Sequence, residues 1–142
     1  MKVFIECEAG STVKCRYDER TRALVESFEL LAPYPFPYGF IVGTSSPDGE
    51  ALDCFVVTGR LLERGKAVEC EPVCTVEFHE GDELDHKVLA RLHGEAAQVD
   101  DGTVETIKDF ITRIFMKFPD ITVSFGETLD LDGTLALIGR CR

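Results

Sequence analysis

The rhythm of short apolar runs and turns in the first two-thirds of the chain is its strongest constraint. Strand-like runs cover 2–8, 12–17, 22–30, 38–43, 52–58, 66–78 and 86–93. Gly10, Gly43, Pro47-Asp48-Gly49, Gly65 and Gly81 separate them. Short strands punctuated in this way close into a barrel or a sandwich. One helix follows. Ile107, Phe110, Ile111, Ile114, Phe115 and Phe118 recur at helical spacing and read as a core face. Thr103 is expected to cap its start and Pro119 to end it, giving a helix over 103–118. Residues 121–142 are expected to add one or two short strands around turns at Gly126 and Gly133.

A length of 142 residues suits one domain spanning 1–142. With 44% hydrophobic residues it can bury a core rather than stay disordered. No apolar run approaches the roughly 20 residues that cross a membrane. Glu6 and Glu8 stand where a secretion signal needs apolar residues, so the expected setting is cytoplasmic. The formal net charge of −11 repels nucleic acid and anionic membranes, which excludes a nucleic-acid-binding barrel as the main reading. An anionic substrate could bind only beside local positive charge, and bound divalent cations are one source of it.

Six cysteines occur, at 7, 15, 54, 70, 74 and 141, with no Cys-x-x-Cys pair. That spacing argues against zinc, and a reducing compartment argues against disulfides. Cys7, Cys15, Cys54 and Cys70 fall in strand-like runs and read as buried thiols.

Two acidic clusters stand out. In "SSPDGEALDCFVV", Asp48 and Glu50 precede Asp53, which opens an apolar strand. Asp is disfavoured in strands, so its presence there asks for a reason. Asp48 and Glu50 would share a face of an extended segment and Asp53 would not, but the Pro-Asp-Gly turn can break the alternation and bring all three together. In "FHEGDELDHKVLARL", Glu80, Asp82 and Glu83 read as a charged loop tip, and Asp85 and Lys87 share a face at the start of another strand. That acid and lysine are either a surface pair of small effect or a metal ligand beside a cation for the metal's anionic partner. Carboxylates gathered at strand ends suit hard divalent cations such as Mg²⁺, which share oxygen ligands with phosphates. A free carboxylate nearby can take a proton from water. His86 alternates away from Asp85 and Lys87 and reads as structural.

The stretch "YPFPYGFI" followed by "DGEALDCFVV" resembles the signature of the soluble family I inorganic pyrophosphatases. That family carries Tyr-Gly-aromatic-Ile, then Asp-Gly-Asp-Pro-x-Asp leading into an apolar strand. "GKAVECEPVCTVEFHEGDELDHKVLA" is similar to its next strand, acidic loop and Asp-x-Lys segment. The resemblance runs from about residue 3 to 93. It implies a mainly β, α+β fold: a five-stranded OB-like barrel with one main amphipathic helix packed on it. It implies Mg²⁺-dependent hydrolysis of pyrophosphate by metal-activated water, with Mn²⁺ an alternative ion. It implies Asp48, Asp53, Glu80 and Asp85 as metal ligands with Glu6 at the edge, and Glu50 as the base that activates water. Lys14, Tyr38 and Lys87 fall at phosphate-contacting positions. Bacterial members form hexamers, so a homo-oligomer is an expectation, though the C-terminal region here is reduced.

Departures from the pattern concentrate in the phosphate cradle. Glu50 replaces the middle signature Asp, Ala51 the following Pro, and Glu80 another Asp. A phosphate-gripping Arg in the third strand corresponds to Ser27, and a Tyr-Lys pair late in the helix region falls at Arg113 and Ile114, with Lys117 the only stand-in. These departures leave two further readings open: a hydrolase of another phosphoanhydride or phosphate ester, and a non-catalytic domain that binds metal or phosphate.

Overall fold

The computed structural model describes residues Met1–Arg142. Its strands are β1 (Lys2–Cys7), β2 (Val13–Tyr17), β3 (Leu24–Glu29), β4 (Tyr38–Ile41), β5 (Asp53–Val56), β6 (Ala67–Glu80), β7 (Glu83–Leu84), β8 (Lys87–Leu92) and β9 (Val123–Leu129). The helices are α1 (Asp101–Phe115) and α2 (Leu131–Arg140). Strands pair in the order β1-β4-β5-β8-β6, and β6 returns to β1, closing a ring of five. The fold is therefore mainly β, a closed ring of the OB-like kind that the family resemblance implies and one of the two architectures the runs and turns allow. β2 and β3 form a separate hairpin, and β7 and β9 add to β6. No helix is long and apolar enough to cross a membrane.

Period-2 alternation divides the core. In β5, Phe55 joins a cluster with Phe78, Leu89 and the α1 residues Ile107, Phe110 and Ile111. Its neighbours Cys54 and Val56 join Val3, Ile5, Ile41 and Val88 in a second cluster closed by Leu137 and Ile138 of α2. Asp53 lies two residues before Phe55 and Lys87 two before Leu89, so both charges sit at strand starts on the α1 side. Cys7, Cys15, Cys54 and Cys70 are buried, and every cysteine is free.

The segment 34–57 folds around one close approach. A Cβ on Gly39 would lie 1.7 Å from the Phe4 carbonyl oxygen, so only glycine lets β4 pack here. Tyr38 beside it stacks on Tyr34 at 5.3 Å and against Phe55 at 4.8 Å. Gly49 takes φ +86° in the acidic turn. There Asp48 Oδ1 accepts from Ser46 Oγ at 2.6 Å and from the Glu50 N–H at 2.9 Å.

Two boundaries differ from expectation. Asp100, not Thr103, is the cap of α1; its carboxylate accepts from the Thr103 N–H at 3.0 Å, and the Thr103 hydroxyl completes a capping box. The helix stops at Phe115, ahead of Pro119. The C-terminal region holds one strand and a second helix, not strands alone. Asp130 caps α2 through the Gly133 N–H, and Thr134, Leu137, Ile138 and Cys141 bury at helical spacing. Thr134 and Thr75, both fully buried, satisfy each other's hydroxyls at 2.7 Å and tie α2 to β6.

Candidate active site

A hollow of ≈320 Å³ opens at the ring's mouth. Glu6, Lys14, Tyr38, Asp48, Glu50, Asp53, Glu80, Asp85 and Lys87 all line it, so every site residue expected from sequence meets in one place. Glu83, read from sequence as part of a charged loop tip, lines it too, as do Arg16 and Glu19, which the sequence reading missed. Arg16 was legible: two residues after Lys14 in β2, it shares Lys14's face.

Register explains the centre. β5 and β8 run parallel with Asp53 paired to Lys87, which brings the two charges side by side. Lys87 Nζ donates to Asp53 at 2.6 Å and to Tyr38 Oη at 3.2 Å, and meets Asp85 at 3.0 Å. Tyr38 accepts that bond and keeps its own O–H as a donor. Burial opposes the charge on Lys87, but Asp53 and Asp85 outweigh it and hold the ammonium above its usual range. Burial also raises Asp53, with Lys87 pulling the other way. For Asp85 the burial penalty is overcome by Lys87 and the hydrogen bonds, which leaves its carboxyl below the ordinary value.

Glu6, 7% exposed, is pushed up to about 7 by burial, although the Tyr17 N–H at 2.9 Å and Lys14 oppose the rise. Glu50 stands exposed at the rim, its carboxyl raised by desolvation and then by Asp48, Asp53 and Glu19. Glu19 braces the loop from below by accepting the Ala51 N–H at 3.0 Å. Thr44 Oγ1 accepts the Leu52 N–H at 3.0 Å, so the chain enters β5 in a fixed position.

Eight carboxylates (Glu6, Glu19, Asp48, Glu50, Asp53, Glu80, Glu83, Asp85) face three cations (Lys14, Arg16, Lys87) in this hollow. The excess of hard oxygen donors fits a divalent cation in chemistry. The side chains do not form a ready cage: no three acid, histidine or cysteine groups converge closely, and Lys87 sits between Asp53 and Asp85.

The remaining positions fall elsewhere. Across the β2–β3 ladder, Phe28, not Ser27, stands opposite Lys14, and the Lys14 ammonium lies 5.8 Å from the centre of the Phe28 ring. Ser27 faces Cys15 and does not line this hollow. Lys117 donates to the Glu29 carbonyl at 3.1 Å and Arg113 pairs with Asp109 at 3.1 Å, both exposed and outside the hollow. His86 accepts the Phe78 N–H at 3.3 Å, a structural role.

Comparison with known proteins follows the same outline. The family model described as inorganic pyrophosphatase matches residues 3–123. The chain belongs to the inorganic pyrophosphatase family. It is 30% identical over 129 residues to the inorganic pyrophosphatase of Gluconobacter oxydans, covering 85% of this chain and 75% of that one. It is 33% identical over 92 residues to the enzyme of Sulfolobus acidocaldarius, covering 63% of this chain and 53% of the relative. The chain thus spans about half the length of some relatives it matches. The inorganic pyrophosphatase structure from Thermus thermophilus superposes with a TM-score of 0.89 at 25% identity, covering 99% of this chain and 88% of that one. Membership places the chain among diphosphatase enzymes, a family that is metal-dependent in general.

Proposed function

We propose that the chain hydrolyses inorganic pyrophosphate to two phosphates in a Mg²⁺-dependent reaction at the acid-lined mouth, with residues 1–142 acting as one unit in the cytoplasm. The observation that carries this reading is the parallel register of β5 and β8. It sets Asp53, Asp85 and Lys87 together inside a wall of carboxylates. Asp48, Asp53, Glu80 and Asp85, with Glu6 at the edge, would hold Mg²⁺, and the same oxygens would accept Mn²⁺. When bound, the ion supplies neutralisation of phosphate oxygens and a water of lowered pKa.

The chain's own residues do the rest. Lys14 and Lys87 draw phosphate oxygens inward, and Tyr38 donates its O–H to one of them. Lys87 already spans Asp53 and Asp85, so it is held in place before substrate arrives. Glu50 takes the proton of the attacking water, and its raised pKa moves its proton affinity towards neutrality, where a general base works best. The test is phosphate release from pyrophosphate by pure protein, with Mg²⁺ and with chelator. Metal-dependent release is expected, and its absence overturns the reading.

A further inference from the structure

Beside the acid hollow lies a second cavity of ≈340 Å³. The two share Lys14, Tyr38, Glu80, Asp85 and Lys87, so they adjoin along the row of residues that carries the cations. Beyond those shared residues the second cavity is hydrocarbon and aromatic. Phe28 and Leu30 from the β3 side and Ile114, Phe118 and Ile121 from the α1 side form its outer walls. At the rim, Phe28, Phe118 and Ile121 remain 38%, 43% and 36% exposed, an apolar opening that water covers poorly.

Bare pyrophosphate gains nothing from such walls, since all its oxygens require charged or hydrogen-bonding partners. A nucleobase fits no better: apart from the Tyr34 hydroxyl, the walls past the shared residues hold no polar side chain to pair with ring nitrogens. A hydrocarbon chain needs no such partners and would cover the exposed rim.

We propose that this site takes an organic diphosphate, its charged head in the acid hollow and an alkyl or prenyl tail in the apolar cavity. The inference rests on the hydrolytic reading of the hollow and names its substrate class. In the reaction, water oxygen bonds to the terminal phosphorus, and the bridging P–O bond breaks. The bond's electron pair leaves with the bridging oxygen on the alkyl phosphate, and the water's proton passes to Glu50 and then to solvent. Alkyl diphosphate and water give alkyl phosphate and inorganic phosphate, with no oxidant or further reactant.

Each methylene withdrawn from water strengthens binding by about fourfold. A few methylenes therefore separate tailed from bare ligands clearly. The experiment compares octyl methylenediphosphonate with methylenediphosphonate by calorimetry on the full chain, with and without Mg²⁺. In parallel, kcat/KM is measured for octyl diphosphate and for pyrophosphate. At least tenfold tighter binding and at least tenfold higher kcat/KM are expected for the tailed compounds. Ile114→Trp, which fills the cavity, should cut both advantages at least fivefold, and Ile121→Trp at the exposed rim gives a second variant should the first fail to fold. Equal affinity and equal kcat/KM overturn the inference while pyrophosphate hydrolysis stands. Self-association through this face with no preference for the tail overturns it too. Failure of the hydrolytic reading looks different: neither substrate releases phosphate, and the inference falls with it.

Discussion

The two hollows at the ring's mouth share a row of charged residues and diverge on either side of it. The acid side takes Asp53 and Lys87 from the ring, Lys14 and Arg16 from β2, and Asp48 and Glu50 from the turn before β5. Asp53 and Lys87 begin strands whose next residues are completely or almost completely buried, so their positions are fixed by register. The apolar side rests on the ring residues Phe55 and Phe78 and takes its outer wall from β3, whose six residues are all exposed, and from the last turn of α1 with the chain beyond it. The difference teaches that the central charged pair is positioned by strand register within the ring. The shape of the substrate's other end is set by parts that pack against it.

The largest expected effect tests the charged pair of the ring. Asp53→Asn should lower kcat by about 10²–10³-fold, the size that follows loss of one preorganised electrostatic group, with a smaller loss of stability than Lys87→Met because Asp85 still pairs with Lys87. Lys87→Met should act on both activity and stability. It strips Asp53 and Asp85 of their cation and should cost about 2–3 kcal/mol in denaturation. That lies below the roughly 3–5 kcal/mol of a fully buried pair, because these carboxylates keep 26% and 32% exposure.

Glu6 gives a pH-dependent break. Its folded pKa of about 7 lies above the ordinary 4.5, so folding favours its protonated form. That contribution is complete below pH 4.5 and is lost as pH rises to 7. Metal-free Glu6→Gln should therefore match the wild type near pH 4 and exceed its stability by about 2 kcal/mol at pH 8. Equal stability at both values would show that Glu6 titrates normally.

The outer apolar wall should yield smaller effects. Phe28→Arg puts a cation opposite Lys14 and should raise kcat/KM for bare pyrophosphate about tenfold, the gain of one charge-assisted contact. Ser27→Arg, facing Cys15, should change it less than about twofold, within the small range of surface substitutions.

These last two variants mark where sequence reading reached its limit. Asp53 was legible because an acid at a strand mouth conflicts with strand preference, whereas Asp48, Asp85 and Lys87 were assigned to the site through the family resemblance. Their convergence with Glu6 and Lys14 needed the closed ring. That Phe28 faces Lys14 was out of reach because a cross-strand partner depends on the register of the whole hairpin, and a slip of one residue reverses the face. The second helix was hidden by Gly133 and its flanking acids, which look like a turn. The signal was present in the Asp130 cap and in the spacing of Thr134, Leu137, Ile138 and Cys141. The apolar cavity was half visible: the stripe of α1 was read as core throughout, whereas Ile114, Phe115 and Phe118 line open space at its end.

The central claim is that the carboxylate wall around Asp53 and Lys87 performs metal-dependent diphosphate hydrolysis. Its most direct test is phosphate release from pyrophosphate by wild type and Asp53→Asn side by side, over a Mg²⁺ titration ending in excess chelator. The account expects release that rises with Mg²⁺, vanishes with chelator and is nearly absent in Asp53→Asn. Release that ignores Mg²⁺, or that survives in Asp53→Asn, would contradict it.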